Sequence, residues 1–379
     1  MISVLVAGDY CPHGRITNLV EQGDYDTIFG QVKSTIEQCD YSLVNFECPV
    51  STSNSSGIVK NGPVLGCSPK SVESIKYAGF KAATLANNHF YDQGENGVKE
   101  TIASLNKSGI AYVGGGHNIH EASSVLFADV QGKTLAVINC CEHEFSIATE
   151  KTGGANPLEP IRQYYAIKNA RSKADYVLVI VHGGIEHYQY PTGRMVDTYR
   201  FFIDAGADAV VNHHQHCFSG SEIYKGKPIF YGLGNFCFDW KERSTSLWIE
   251  GYMVKLLFDG DKVGFKLFPY IQNSEHPGVR LQEGKRYEKW KTSFDDISSI
   301  IADKEKLEDR YQELLGKTER WYSTVLTPYD SRLMRVLYRR GFLPMLFSRR
   351  KLVTLLNLLM CESHYDRMIK MLINYTKRK

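Results

Sequence analysis

Six segments of the chain are runs of apolar, mostly β-branched or aromatic residues that stop at polar side chains. Strands of a buried parallel sheet have this pattern, whereas strands with one face in water alternate. The segments are ISVLVAGD, YSLVNFE, FKAATLANNH, YVLVIVHGG, ADAVVNHHQH and KPIFYGLGNF. Amphipathic helical segments lie between them, so residues 1–275 are predicted to form a layered α/β domain with right-handed crossovers.

Other segments have clear ends. Ser68 and Pro69 begin a predicted helix that stops at Gly79, and Gly109 ends the next one. Residues 245–272 alternate on both sides of Asp259-Gly260, which predicts an antiparallel hairpin that completes a sheet. From residue 285 onward the pattern is helical, so residues 285–379 are predicted to be a separate, all-helical region.

Each of the six strands runs into side chains that could bind a metal ion or support one of its ligands. If the strands lie parallel in one sheet, their polar ends share one edge. Mixed nitrogen and oxygen donors suit manganese, zinc or iron better than thiolate or all-oxygen sites do. Their number predicts one or two divalent ions. The residues are Asp9, Asn45, Glu47, Asn88, His89, His182, His214, His216 and Asn235.

Taken singly, these residues have simpler explanations. An Asp after a strand often caps the next helix, and Asn often supports a turn. The HHQH segment alone could be a His-rich surface loop. The recurrence of such residues at six strand ends favours a metal site over these explanations.

Composition and charge limit the kinds of partner that the chain can have. The chain is 43% hydrophobic and 23% charged, as in ordinary globular proteins. Nine cysteines without a C-x-x-C pair, and no basic-then-apolar leader, predict a cytoplasmic protein. The net charge of +3 conceals a basic tail, because residues 332–379 hold 12 Lys and Arg against 2 Asp and Glu. This tail predicts contact with an anionic surface such as a membrane, although a solvated helical cap on the α/β core explains the same helices. No nucleic-acid-binding module is recognised.

The predicted substrate is an anionic small molecule or polymer. Arg15 and Arg194 are candidate clamps, because a guanidinium matches phosphate and carboxylate geometry, although surface solvation explains each arginine taken alone. The Ser-, Asn- and Gly-rich residues 50–66 directly follow Glu47 and predict a binding loop.

Five blocks of the sequence resemble the CapA-like family of poly-gamma-glutamate capsule synthesis proteins. They are GDYCPHG, NFECPVS, LANNHFYDQGENG, VHGGIEHYQYP and NHHQHCFSGSEIYKGKPIFYGLGNF, in order across about residues 1–240. That family is similar to the calcineurin-like metallophosphoesterases. The resemblance therefore implies a four-layer α/β/β/α sandwich of metallophosphoesterase type, followed here by a C-terminal helical extension.

The resemblance also implies roles for individual residues. The implied metal ligands are Asp9, Glu47, Asn88, His182, His214 and His216. His89 is the implied acid for the leaving group; Glu186 and His187 complete the predicted catalytic set, and Asn45 and Asn235 are assigned to substrate binding. Two positions depart from the family pattern. The D-x-H motif is absent after Asp9, with His13 as the nearest substitute, and Asn212 stands where the family mostly has Gly.

Three functions remain open on the sequence. The first is a metal-dependent hydrolase, most simply a phosphoesterase. The second is amide-bond hydrolysis or transfer on a gamma-glutamyl polymer or a related capsule precursor. The third is a non-catalytic capsule assembly or export component, which would dock on an anionic membrane or a capsule-synthesis complex through the basic tail.

Overall fold

The computed structural model describes residues 1–52, 55, 57–243, 246–326, 329, 331–360, 364, 365, 368, 369 and 372. The chain divides into two compact units, Met1–Glu308 and Asp309–Lys379.

Unit 1 contains all the described strands. In chain order they are β1 (Ile2–Cys11), β2 (Tyr41–Phe46), β3 (Ala82–Thr84), β4 (Ala111–Val113), β5 (Gly115–Gly116), β6 (Leu126–Val130), β7 (Lys133–Cys141), β8 (Gly154–Ala155), β9 (Tyr176–His182), β10 (Ala209–His213), β11 (Ser221–Tyr224), β12 (Lys227–Phe230), β13 (Asn235–Phe238), β14 (Glu250–Asp259), β15 (Lys262–Gln272) and β16 (Val279–Leu281).

The described α-helices that begin in unit 1 are α1 to α10, and the last of them runs on into unit 2. They are α1 (Arg15–Gln22), α2 (Tyr25–Glu37), α3 (Lys70–Ala78), α4 (Gly94–Ser108), α5 (Ile119–Ala122), α6 (Pro160–Arg171), α7 (Gly193–Ala205), α8 (Ser246–Ile249), α9 (Gly284–Ala302) and α10 (Lys304–Leu326), followed in unit 2 by α11 (Arg332–Arg339) and α12 (Arg349–Met360). As the sequence predicted, α3 ends at Gly79 and α4 at Gly109, both in left-handed backbone.

Two large sheets make up the centre of unit 1. The first has the order β16-β15-β14-β1-β2-β3-β4, with β13 also paired to β1. The second has the order β11-β12-β10-β9-β7-β6, and β5 pairs with β8 in a small separate sheet. Strands β1 to β4 are parallel, as are β7, β9, β10 and β12. The carboxyl ends of both parallel sets can therefore supply site residues.

Alternate residues of β1 lie in two different cores. Ile2, Val4 and Val6 pack with the strands of the second sheet, whereas Leu5 and Ala7 pack with helices α1 to α4. Helices α6, α7 and α9 join the core of the second sheet. The predicted four-layer α/β/β/α order is thus confirmed, because both sheets are covered on both faces.

The six predicted strands do not share one sheet, so their polar ends come from the edges of two sheets. Those ending at His182 and His214 belong to the second sheet, and KPIFYGLGNF divides into β12 in the second sheet and β13 in the first. The break falls at a tight crossing, where a Cβ on Gly8 would lie 1.9 Å from the Gly234 carbonyl oxygen. The hairpin at Asp259-Gly260 is confirmed as β14 and β15, whereas the sequence analysis missed α1 and the β6–β7 hairpin.

The predicted helical region begins inside unit 1. Helix α9 buries Trp290, Phe294, Ile297 and Ile301 in the core of the second sheet, because these residues recur every three or four positions. Helices α11 and α12 lie in unit 2, and the predicted last helix falls mostly outside the described residues. Among the residues that the structure describes, no helix is long and apolar enough to cross a membrane.

Candidate metal centre

Two buried carboxylates come from the first sheet. Asp9 lies in β1 and Glu47 directly follows β2, and both side chains are fully buried. Asp9 and Asn45 are neighbours across the two strands, and the Asn45 amide Nδ2 donates to Asp9 Oδ1 over 2.7 Å. The parallel pairing of β1 and β2 therefore places these carboxylates at one edge of the sheet.

Three imidazoles come from the second sheet. His182 ends β9, and His214 and His216 follow β10, its neighbour. His182 Nε2 lies 3.1 Å from His214 Nδ1 and 3.0 Å from Asn88 Oδ1. Two donors bound to one transition-metal ion lie about 3 Å apart, since each bond is about 2.1 Å long. The spacing of these three atoms is thus suited to one ion.

Asp9, Glu47 and His216 form a second group, whose donor atoms all lie within 4.8 Å of one another. His216 Nε2 lies 3.6 Å from Glu47 Oε1, and His216 Nδ1 lies 3.6 Å from Asp9 Oδ2. Glu47 Oε1 is also 3.9 Å from His182 Nε2. Glu47 therefore lies beside donor atoms of both groups.

The Glu47 carboxylate supports a cation at this position. Both of its oxygens are buried without a hydrogen-bond partner. Burial, followed by the charges of Asp9 and Glu186, raises the pKa of Glu47 well above its ordinary value. An unpaired buried carboxylate is costly, and a divalent ion would compensate it. The mixed oxygen and nitrogen donors suit a transition metal.

The neighbouring groups titrate in a way that suits metal binding. Burial alone would raise the pKa of Asp9, but His213, whose Nδ1 lies 3.3 Å from Asp9 Oδ1, together with His182 and His216, lowers it below its ordinary value. Burial lowers the pKa of His182 well below 6.5 and that of His216 to about 4. At neutral pH, Asp9 is therefore ionised and both imidazoles are neutral, the forms that bind metals.

The HHQH turn holds its histidines in a strained backbone. His214 has a φ of 89° and His216 a φ of 53°, in the left-handed region that residues other than Gly seldom adopt. Such strain costs about 1–3 kcal/mol per residue and concentrates at functional sites. Asn235 Oδ1 lies 2.9 Å from His216 Nδ1, and the Trp248 ring packs against the same imidazole at 4.9 Å between centroids.

His89 is oriented by two residues that the sequence analysis missed. Its Nδ1 lies 2.6 Å from Asp92 Oδ2, while Lys60 Nζ lies 2.6 Å from Asp92 Oδ1 and 3.3 Å from His89 Nδ1. Lys60 comes from the predicted binding loop, and its side chain is only 2% exposed. The backbone N–H of Leu65, from the same loop, also donates to Asp92. The spacing of His89 and Asp92 was a usable signal, whereas nothing in the sequence distinguished Lys60.

We expect Lys60→Met to destabilise the protein by about 3–5 kcal/mol, because it leaves Asp92 as a buried charge without its cation. Thermal unfolding measures the effect. Lys133→Met is the matched control, since it breaks a surface ion pair with Asp175 that contributes at most about 1 kcal/mol. Equal losses in the two variants would contradict a buried structural pair at Lys60.

The other predicted residues lie at different distances from the donors. Asn45 and Asn235 are buried and contact ligand side chains, Asn45 also lying 3.2 Å from His182 Nδ1. Glu186 and His187 are partly exposed, and the His187 ring lies 5.8 Å from that of Trp248. Glu144, which the sequence analysis missed, reaches Asn88 Nδ2 at 3.4 Å and His214 Nε2 at 3.9 Å.

The two predicted arginine clamps bind other groups of the protein. Arg15 donates to the carboxylate of Asp239 and to three backbone carbonyls, and Arg194 pairs with Glu142 at 2.7 Å. Within the described part of the chain, neither guanidinium contacts one of the donor residues. Their role in substrate binding stays a prediction.

The two departures from the family pattern have structural explanations. Asn212 is tied to its surroundings, because its Nδ2 donates to the carbonyls of Gly183 and Tyr231 and its Oδ1 accepts from Tyr199. It therefore fastens β10 and touches none of the donor atoms. The ring of His13 packs against Trp240 at 5.1 Å and does not replace the missing D-x-H histidine.

Comparison with known proteins identifies the family of this chain. Residues 3–240 match the family described as "Bacterial capsule synthesis protein PGA_cap". The chain is 30% identical over 262 residues to "Capsule biosynthesis protein CapA" of Bacillus anthracis and 31% identical over 260 residues to "PGA biosynthesis protein CapA" of Bacillus subtilis (strain 168). These alignments cover 66% and 67% of this chain, and 64% and 68% of the two relatives.

A solved structure is also similar. It is the crystal structure of a 5'-nucleotidase precursor from Thermus thermophilus, with a TM-score of 0.44, 13% identity, and coverage of 83% of this chain and 59% of that one. The family match extends over most of the α/β unit and includes every predicted metal ligand. The chain belongs to the bacterial capsule synthesis family PGA_cap, which includes the CapA proteins.

Proposed function

We propose that this protein is a metal-dependent hydrolase, and most simply a phosphoesterase. The observation that carries the proposal is the Glu47 carboxylate, which is buried without hydrogen-bond partners between two sets of donors. One set is Asn88, His182 and His214, and the other is Asp9 and His216. A site with this arrangement stabilises charge on a substrate that is attacked by water.

Two ions suit the donors better than one. The first set has three donors besides Glu47, and the second has two, so a shared Glu47 would serve both ions. Manganese, zinc and iron are the candidates, because imidazole and carboxylate donors bind all three. Elemental analysis of the purified protein identifies and counts the ions.

The residues of the chain would then share the chemistry with the bound ions. Bound divalent ions would supply Lewis acidity and a water activated near neutral pH. His89, held through Nδ1 by Asp92, would give a proton to the leaving oxygen from its other ring nitrogen, Nε2. This imidazole is buried, and Lys60 Nζ lies 3.3 Å from its Nδ1. Asn235 and Asn45 hold the ligand side chains in place.

We expect His89→Asn to lower turnover by about 10²–10⁴-fold, which is the usual contribution of a general acid. The metal content should stay unchanged, because the imidazole is not a ligand in this proposal. Steady-state kinetics and elemental analysis on the same sample measure both. The control is His120→Asn, an exposed histidine paired with Glu150. Full turnover in His89→Asn would exclude the acid role.

A second candidate is amide chemistry on a gamma-glutamyl polymer. The observation that favours it is the name of one relative, "PGA biosynthesis protein CapA". The same ions could polarise an amide carbonyl as readily as a phosphoryl group. A panel of phosphate mono- and diesters set against gamma-glutamyl peptides separates the two candidates.

The panel has three informative outcomes. Turnover of phosphate esters supports the first candidate, and cleavage of gamma-glutamyl peptides alone supports the second. If the metal-loaded protein turns over neither class, both enzymatic proposals fail, and a non-catalytic assembly or export component becomes the better explanation.

A further inference from the structure

Helices α11 and α12 of unit 2, and the turn between them, carry basic and apolar side chains without a single acid. Residues 332–360, here called the basic segment, contain seven Arg and Lys and no Asp or Glu. All seven side chains are exposed. They are Arg332, Arg335, Arg339, Arg340, Arg349, Arg350 and Lys351.

The basic segment also exposes large apolar side chains. Leu333 is 68% exposed and Phe342 is 71% exposed. Along α12, Val353, Leu356 and Leu359 are each more than half exposed and follow one another at intervals of three residues. Residues at this spacing lie on one side of a helix. Single exposed apolar residues are common, whereas a row of them beside arginines marks an interaction surface.

We propose that the basic segment is a peripheral binding surface for the anionic headgroups of a lipid bilayer. The arginines and the lysine would be attracted by the negative surface potential. The exposed Leu, Val and Phe side chains would enter the boundary between headgroups and acyl chains. Long Arg and Lys side chains can keep their charges at the headgroups while their stems lie along the apolar layer. The proposal is independent of the hydrolase proposal.

The charge and composition of the basic segment favour an anionic bilayer over a second copy of the chain and over a nucleic acid. A second copy of the chain would bring an equal positive charge against the segment, which is repulsive. A nucleic acid would account for the arginines but not for the row of aliphatic side chains, because nucleic acids are bound by charged, polar and stacking aromatic groups. A spanning role is excluded for α12, since its 12 residues fall short of the about 20 that a bilayer requires.

Sedimentation of the full chain with lipid vesicles tests the proposal. We expect binding to phosphatidylcholine vesicles that contain phosphatidylglycerol and little binding to vesicles of phosphatidylcholine alone. Salt should weaken the binding, because the screening length falls from about 10 Å at 0.1 M to about 3 Å at 1 M. The triple variant Arg349→Gln, Arg350→Gln and Lys351→Gln should bind about 100-fold more weakly, since each basic residue contributes about fivefold.

A matched control removes the same charge from unit 1. The variant Lys285→Gln, Arg286→Gln and Lys289→Gln changes three exposed basic residues of α9 and should bind as the unchanged protein does. A variant with Val353→Ser and Leu356→Ser tests the apolar contribution, and we expect binding to fall at least about tenfold. The altered side chains of α12 are exposed, so circular dichroism should show the fold intact.

Several results would overturn the proposal. Equal binding to neutral and anionic vesicles removes its electrostatic basis, and no binding to either removes the surface itself. Equal losses in the α12 and α9 triple variants would show that only total charge matters. Two results together would assign the basic segment to nucleic acid instead. Duplex DNA would displace the vesicles from the protein, and the Val353→Ser, Leu356→Ser variant would bind the vesicles as tightly as the unchanged chain does.

Discussion

Purified protein in which His214 and His216 are both replaced by alanine should contain no metal. The change removes one donor from each of the two sets, at atoms 3.1 Å from His182 Nε2 and 3.6 Å from Glu47 Oε1. The ring of His13 packs on Trp240 and does not replace them, and His213, whose Nδ1 lies 3.3 Å from Asp9 Oδ1, is one imidazole where two are lost. Each set would then keep too few donors to hold a transition metal.

Elemental analysis after dialysis measures this result. The control is the double variant His120→Ala and His143→Ala, which removes two exposed imidazoles and should keep the full metal content. Because alanine is also strained at the positive φ of these two positions, circular dichroism must show that the variant is folded. A full complement of metal in the His214→Ala, His216→Ala variant would refute the proposed centre.

Replacing Glu47 by glutamine should have opposite effects on stability with and without metal. In the presence of metal, the unchanged protein gains about 2.7 kcal/mol when the free ion is at 100 times its Kd. Glu47→Gln loses most of this gain, because a neutral amide replaces the charged bridge. After chelation, the variant should be the more stable of the two at about pH 8, since it carries no buried carboxylate.

The pH dependence of the chelated protein follows from the direction of the Glu47 pKa shift. Burial raises the pKa of Glu47 in the folded state, so the folded protein holds a proton that the unfolded chain has released. The contribution of Glu47 to the free energy of unfolding is complete below pH 4.5, the ordinary pKa of a glutamate. It is lost as the pH rises through the pKa that Glu47 has in the folded protein. The advantage of Glu47→Gln should therefore shrink between about pH 8 and about pH 5.

Chemical denaturation with and without chelator measures both effects. Glu150→Gln, at an exposed carboxylate, is the control and should match the unchanged protein in both conditions. If Glu47→Gln is less stable than the unchanged protein in chelator at both pH values, the carboxylate has an uncharged structural role, and the bridging position is wrong.

Local patterns in the sequence predicted the elements of the fold better than their arrangement. The apolar runs, the glycines that end α3 and α4 and the turn at Asp259-Gly260 each act over a few residues, and they were located correctly. The sheet to which each strand belongs was not predicted, because every buried parallel strand has the same apolar pattern. The break between β12 and β13 depends on the contact of Gly234 with Gly8, which are far apart in the sequence.

The site, like the fold, was predicted better in its local features than in its long-range contacts. Residues at strand ends were found, because the register of parallel strands places them together. Lys60 and Glu144 were missed, since they come from loops, and loops have no periodicity that relates one residue to another. Asp92 was missed although its spacing from His89 was a usable signal. Asn45 and Asn235 were recognised as polar strand ends, but the sequence could not show that they contact Asp9, His182 and His216.

The origin of the donors in two sheets has a consequence for folding. The backbone of His214 contacts the Asp9 carboxylate across 205 residues of chain, so neither donor set can close until both sheets have formed. Contacts of such long range form late, because the entropy of closing a long loop must be overcome first. On a chain that emerges from the ribosome, the two donor sets are therefore complete only after His214 and His216 have been made and the two sheets have come together.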